Sequence, residues 1–292
     1  MKLLTTLKTR VLRLYYRLSN KHAWRGKFDD KPTSTLQIPG PAGPMAARMY
    51  TADASGELPL ILYFHGGGWV IGDLDTHHPF CQVLSQRSGA TVLALDYRLA
   101  PEHPWPAAQE DCLAASEWVT KHLAELGPNN GRLVIAGDSA GGNLTACSAL
   151  DLSEEARSKV CGAATLYPAA DHYQRDWPSY REQARSGPLT TGIMFWFWNT
   201  YLGATAPDQA ASARPLLSDK LDTLPPLFNI TAERDPLKDE GQAFAKSVED
   251  QGVEVQHRHY PKAAHGFACS EGPTEDFGLF MDDLCQWLVS LK

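Results

Sequence analysis

Ser139 lies in Gly137-Asp138-Ser139-Ala140-Gly141, a G-x-S-x-G that directly follows the apolar run Leu133-Val134-Ile135-Ala136 and directly precedes a helical pattern. Strand, turn and helix in that order are what a nucleophile elbow requires. Its turn is so tight that side chains two residues before and after the serine would collide with backbone, and Gly137 and Gly141 carry none. The hydroxyl is then thrust out beyond the strand's carboxyl end, at a helix N-terminus whose dipole favours developing negative charge. Serine is a poor nucleophile at neutral pH unless a histidine takes its proton and a carboxylate orients that histidine. Two downstream residues offer those roles. Asp235 stands in Glu233-Arg234-Asp235-Pro236-Leu237, after the run Leu227–Thr231, and His265 in Ala264-His265-Gly266-Phe267, after the last strand-like run. Each has a plainer reading, Asp235 as the cap of a helix near Lys238 and His265 as a surface loop residue. Their placement after consecutive strands, in the order Ser139, Asp235, His265, favours the catalytic one.

His65-Gly66-Gly67-Gly68-Trp69 is the second group, directly after the apolar run Leu60–Phe64. Three consecutive glycines cost backbone entropy, and a flexible linker does not usually begin at the end of a central strand. Their bare N–H groups suit a substrate oxyanion. Gly67 and Gly68 are the preferred donors, with Ala140 as the third and Gly66 as a further candidate. His65 is expected to hold this loop by hydrogen bonding; as the base it is the weaker candidate.

The elements that must position these groups alternate. Strand-like runs fall at Ala46–Thr51, Leu60–Phe64, Thr91–Leu95, Leu133–Ala136, Gly162–Tyr167, Leu227–Thr231 and Val253–Tyr260. Helical patterns fit at Thr76–Ser88, Ala107–Leu126, Ala140–Leu150, Lys238–Gln251 and Thr274–Leu291. Four of the runs are nearly all apolar, as expected of strands covered on both faces, so the fold class is α/β with a mostly parallel sheet. The rhythm breaks at Ala169–Leu217, which is rich in aromatics and lacks a strand-like run. The expected organisation is an N-terminal helical cap segment (1–44), a catalytic core (45–168 and 213–292) and a cap insertion (169–212). Trp69, Phe195, Trp196 and Trp198 are expected to shape the substrate pocket, although filling a second small core also accounts for aromatics of this number.

Net charge is −7 over 292 residues, which argues against a nucleic-acid partner. Residues 1–27 carry eight Lys and Arg and no acid, leaving −15 on the rest. Leu3, Leu4, Leu7, Val11, Leu14 and Leu18 recur there at helical spacing, so an amphipathic helix packed on the body is expected, with a membrane-surface helix or a transit peptide as alternatives. No apolar run is long enough to span a bilayer. Cys81, Cys112, Cys147, Cys161, Cys269 and Cys285 are scattered, which points to reduced thiols and a cytoplasmic location. His257 and His259 share a strand face but lack a third ligand at suitable spacing, so no metal is expected. Cys269 lacks an elbow and is a weak rival to Ser139.

The His65–Gly68 motif, Asp96-Tyr97-Arg98-Leu99-Ala100-Pro101-Glu102, Gly137–Gly142, Asp235-Pro236-Leu237 and His265-Gly266-Phe267 follow one another between about residues 58 and 268. In that order they resemble the hormone-sensitive lipase family of bacterial esterases (family IV carboxylesterases). The resemblance implies an α/β-hydrolase fold, a mostly parallel central sheet flanked by helices, with a helical cap from the N-terminus and the mid-chain insertion. It implies a serine carboxylesterase acting on small-molecule short-chain esters without a cofactor, and bracing of the site by Tyr97–Glu102 and Pro104–Asp111. Amidase, formamidase or lactonase chemistry on the same triad, and a non-catalytic ligand receptor on the same fold, are the alternatives. A homodimer and membrane-surface association stay open.

Overall fold

The computed structural model describes residues 2–31, 33–51 and 56–291. Eight strands form one sheet: β1 (Ser34–Gly40), β2 (Gly43–Tyr50), β3 (Leu60–Phe64), β4 (Val92–Leu95), β5 (Leu133–Asp138), β6 (Val160–Leu166), β7 (Leu227–Arg234) and β8 (Val255–Ala264). Their spatial order is β1-β2-β4-β3-β5-β6-β7-β8. The strands from β4 to β8 run parallel, and β1 and β2 add an antiparallel hairpin at one edge. Helices α1 (Lys2–Ala23), α2 (His78–Ser88), α3 (Ala107–His122), α4 (Ala140–Asp151), α5 (Glu154–Arg157), α6 (Pro178–Glu182), α7 (Thr191–Leu202), α8 (Lys238–Asp250) and α9 (Glu275–Ser290) complete the chain.

Every residue of β3, β4, β5 and β6 is buried, because helices cover both faces of the sheet. Alternation along β3 assigns the faces. Leu60, Leu62 and Phe64 pack with Cys112 and Val119 of α3 and Leu144 of α4, whereas Ile61 and Tyr63 pack with Phe80 of α2 and Phe280 of α9. The first of these clusters runs on without a break into the aromatics of α7.

One boundary differs from expectation. Residues 34–40, expected within the N-terminal helical segment, form β1, and within the Pro- and Gly-rich stretch 39–44 the pair Pro41-Ala42 makes the hairpin turn into β2. Only Ile38 of β1 is fully buried, so this edge strand carries almost no apolar signal. Among the described residues of 1–44, α1 is the one helix.

Both ends of the insertion converge on one side chain. The Asn143 amide, on α4, donates to the carbonyls of Ala169 (2.7 Å) and Ala213 (2.9 Å). Arg214 Nε donates to the buried Asp171 at 2.7 Å, joining the same two ends by charge. Glu240 on α8 accepts the Ala170 N–H at 3.0 Å; burial, then the neighbouring Asp171, push its carboxyl well above the usual range.

Candidate active site

All the candidate groups meet at the carboxyl edge of the sheet, where β3, β5, β7 and β8 end. The connection leaving β3 turns to β4 on one side and the connection leaving β5 turns to β6 on the other, so this edge is also the point where the strand order reverses, the usual location of a site in open parallel sheets. Ser139 follows β5 with φ 57° and ψ −116°, a strained conformation for a residue with a side chain. A Cβ on Gly137 would overlap the Gly141 carbonyl, and one on Gly141 would overlap the carbonyl oxygen of Phe64 on the neighbouring strand. The two glycines are thus required by contact with backbone that cannot give way.

His265, directly after β8, brings Nε2 to 2.9 Å from Ser139 Oγ and Nδ1 to 2.7 Å from Asp235 Oδ2. A carboxylate facing Nδ1 selects the Nδ1–H tautomer and leaves Nε2 to accept from the serine hydroxyl. Asp235 is fully buried, and its second oxygen accepts the Leu237 N–H at 2.8 Å, which fixes the carboxylate plane. Ser139 keeps 8% of its surface exposed and His265 is half-buried. The ring of Tyr167 stands edge-on to His265 at 4.9 Å and limits its tilt.

The glycine loop after β3 is tied to the serine turn through Asp138. This buried carboxylate accepts the Tyr63 hydroxyl (2.7 Å) and the Gly66 N–H (2.8 Å), and lies 3.3 Å from His77 Nε2. Burial alone would raise its pKa; His77 and the Tyr63 hydrogen bond outweigh that and hold it below the usual carboxylate range. The Gly66 N–H is committed to Asp138, whereas Ala140, as the first residue of α4, has an N–H with no partner inside its helix.

His65 plays no part in the serine relay. Its Nδ1–H donates to the Gly66 carbonyl at 2.8 Å, and its ring stacks on Tyr97 at 4.3 Å. Burial, then the nearby His77, lower its pKa to about 4, so it is neutral at physiological pH. Tyr97 OH donates to the His65 carbonyl (2.6 Å), Arg98 clamps Asp111 through Nε and a terminal nitrogen, and Glu102 pairs with Arg13 of α1. This segment braces the loop from behind.

The four expected pocket aromatics separate. Trp69 and Trp198 are fully buried, with Trp69 stacked on Tyr201 at 4.4 Å and against Trp198 at 4.5 Å. They form the joint between the glycine loop and α7 and do not line an open pocket, because flat rings at a helix–loop junction gain more by packing on one another than by facing water. Trp196 is partly buried beneath Lys8, and Phe195 is 37% exposed. Phe197 reaches the site loop in their place. Its ring occupies the position a Cβ on Gly68 would take, and Gly68 has φ +59°. Phe197 and Asp138 were not among the residues expected at the site from the sequence. For Asp138 a signal existed, its place inside the serine pentapeptide; for Phe197 none did, since one of four consecutive aromatics must be chosen by helical phase.

Residues 61–269 match the α/β hydrolase fold family. The carboxylic ester hydrolase LipN of Mycobacterium tuberculosis is 40% identical over 247 residues, covering 80% of this chain and 63% of its own length. Esterase LipI of the same organism is 37% identical over 236 residues, covering 80% of this chain and 73% of its own. Among solved structures, the thermophilic carboxylesterase EstE1, cloned from a metagenomic library, superposes with a TM-score of 0.88 at 33% identity, covering 98% of this chain and 97% of that one. With its serine elbow, its triple-glycine loop and relatives that are esterases over most of its length, the chain belongs to the hormone-sensitive lipase family of α/β-hydrolase esterases.

Proposed function

We propose that the protein is a serine carboxylesterase that hydrolyses short-chain acyl esters of small molecules through an acyl-enzyme. The observation that carries this reading is the continuous relay from Ser139 Oγ through His265 to Asp235, at 2.9 and 2.7 Å. Ser139 Oγ attacks the ester carbonyl and forms the new C–O bond as its proton passes to His265 Nε2. Asp235 stabilises the imidazolium and keeps its orientation. The carbonyl oxygen becomes an oxyanion held by the N–H groups of Gly67, Gly68 and Ala140; Gly66, whose N–H is spent on Asp138, acts by holding the loop. Collapse breaks the bond to the alkoxide, which leaves with the proton from His265. Water then gives up a proton to His265 and attacks the acyl carbon, and the acid departs as Ser139 recovers its proton.

Phe197 against Gly68 supports a short acyl group, since a ring seated on one oxyanion donor leaves little depth beside it. The decisive experiment pairs Ser139→Ala with fluorophosphonate labelling and a p-nitrophenyl ester series. The expected result is labelling of the parent at Ser139, a folded variant with essentially no turnover, and an optimum at about two to six acyl carbons. Full turnover by the variant would overturn the mechanism, and a twelve-carbon optimum (about twice the expected length) would overturn the acyl preference.

A further inference from the structure

Helix α1 presents four of its apolar residues outward. Thr9, Leu12, Arg13, Tyr16 and Asn20 turn toward the body, whereas Val11, Leu14, Tyr15 and Leu18 are 61%, 59%, 68% and 57% exposed. These four occupy positions i, i+3, i+4 and i+7, so they form one continuous stripe on the helix. Elsewhere among the described residues the exposed large apolar side chains occur in ones and twos, at Ile193, Phe195, Leu217, Leu279 and Val289. An apolar stripe of this length facing water marks a surface that something covers.

Charge decides what covers it. Residues 1–27 hold eight Lys and Arg and no acid. Arg13 and Arg17 are engaged with Glu102 and Asp73 of the body, and the exposed Arg10 and Lys21 lie along one flank of the stripe by the helical period. Two such faces meeting in a dimer would bring these cations together with no acid on either helix to balance them. The remainder of the chain carries −15, so its net charge opposes approach to an anionic surface while the cations of this segment favour it. Among the described residues no helix is long and apolar enough to cross a membrane. An apolar stripe with a basic flank on such a helix is the pattern of an element that lies in the lipid interface.

We propose that α1 is a docking helix for an anionic phospholipid surface, with Val11, Leu14, Tyr15 and Leu18 inserted among the acyl chains and Arg10 and Lys21 against the headgroups. The helix is rigidly joined to the catalytic end. Arg13 Nε donates to the Val70 carbonyl just past the glycine loop (2.8 Å), Tyr16 OH lies 3.1 Å from Ser270 Oγ just past His265, and Lys8 sits over the Trp196 ring of the cap. Docking therefore fixes the orientation of the active-site end against the lipid.

The test is co-sedimentation of the full chain with vesicles of phosphatidylcholine alone and of phosphatidylcholine containing phosphatidylglycerol, at low and high salt. The parent should bind the anionic vesicles at least about tenfold more tightly than the neutral ones, and lose that margin in high salt. Leu14→Glu with Leu18→Glu should abolish binding while circular dichroism and p-nitrophenyl ester turnover stay at parent values, since both side chains face water. Arg10→Glu with Lys21→Glu, which keeps the stripe intact, should remove the anionic preference. Equal binding to both vesicle types, no binding by the parent, or undiminished binding by the Leu14 and Leu18 variant would overturn the proposal. So would a dimer in sedimentation velocity that this variant dissociates, because the stripe would then belong to a second copy.

Discussion

Along the carboxyl edge of the sheet each reactive group is fixed by backbone within a few residues of its strand, whereas the cap is anchored chiefly by side chains from distant parts of the chain. Ser139 is set by two glycines that cannot carry a Cβ, Asp235 by the N–H two residues on, and His265 by the end of β8. The cap, by contrast, rests on Asn143, on the Asp171–Arg214 pair, on the Trp69–Tyr201 stack and on Arg13 reaching across from α1. Local determinants protect the chemistry from change elsewhere. Long-range ones make the enclosure adjustable, because replacing an aromatic alters what is covered without touching the relay.

If that contrast holds, the largest losses come from the edge. Asp235→Asn keeps the shape but lets the wrong tautomer of His265 face the serine, and kcat should fall on the order of 10⁴ while Tm stays near the parent value. A loss of less than about tenfold would mean that Asp235 does not orient the base.

The next effect lies where the two regions touch. Gly68→Ala places a methyl group inside the Phe197 ring at a backbone angle that disfavours side chains, so the loop must shift and misplace an oxyanion donor. Its kcat should drop on the order of 10²–10³, with little change in KM. Adding Phe197→Ala should restore only part of the loss, because the backbone strain remains when the clash is gone. Complete rescue would show that the cap alone dictates glycine at this position.

A smaller loss is expected from the cap's anchor. In Asn143→Ala two buried carbonyls, those of Ala169 and Ala213, lose their donor, at a cost of about 2–3 kcal/mol of stability. Thermal unfolding should register this as a fall of about 3–5 °C in Tm, with turnover at room temperature reduced only a few-fold. An unchanged Tm would mean that the insertion is held without this clamp.

The same division explains what could be read from the sequence. Ser139, Asp235 and His265 were legible because each follows a strand-like run and each role demands one residue type. The glycine loop was legible because three glycines at a strand end have few structural uses. Strand β1 was not: it is an edge strand with one deeply buried residue, and the prolines and glycines of its hairpin look like an interruption. The phase of α1 and α7 was hidden as well. Periodicity shows that a helix has an apolar side, but which side meets the body depends on residues far away in the chain. In α1 the body selects Arg13 and Tyr16, and in α7 the glycine loop selects Phe197.

The smallest effect tests whether the brace behind the glycine loop belongs with the edge. His65 is buried and its pKa is lowered from 6.5 to about 4, so between those values the unfolded chain takes up a proton that the folded one refuses. The sign follows directly: stability is retained above pH 6.5 and is lost as pH falls from there toward 4. From about pH 7 to about pH 5.5 this one group should cost about 1 kcal/mol, or about 2 °C in Tm. In His65→Asn, which keeps a donor for the Gly66 carbonyl, that part of the acid slope should vanish even though the variant starts from a lower Tm. The slope is the discriminating quantity, because loss of packing lowers Tm equally at every pH. If the variant and the parent lose stability in parallel over this interval, another group sets the acid response, and the loop's support is governed, like the cap, by contacts farther away.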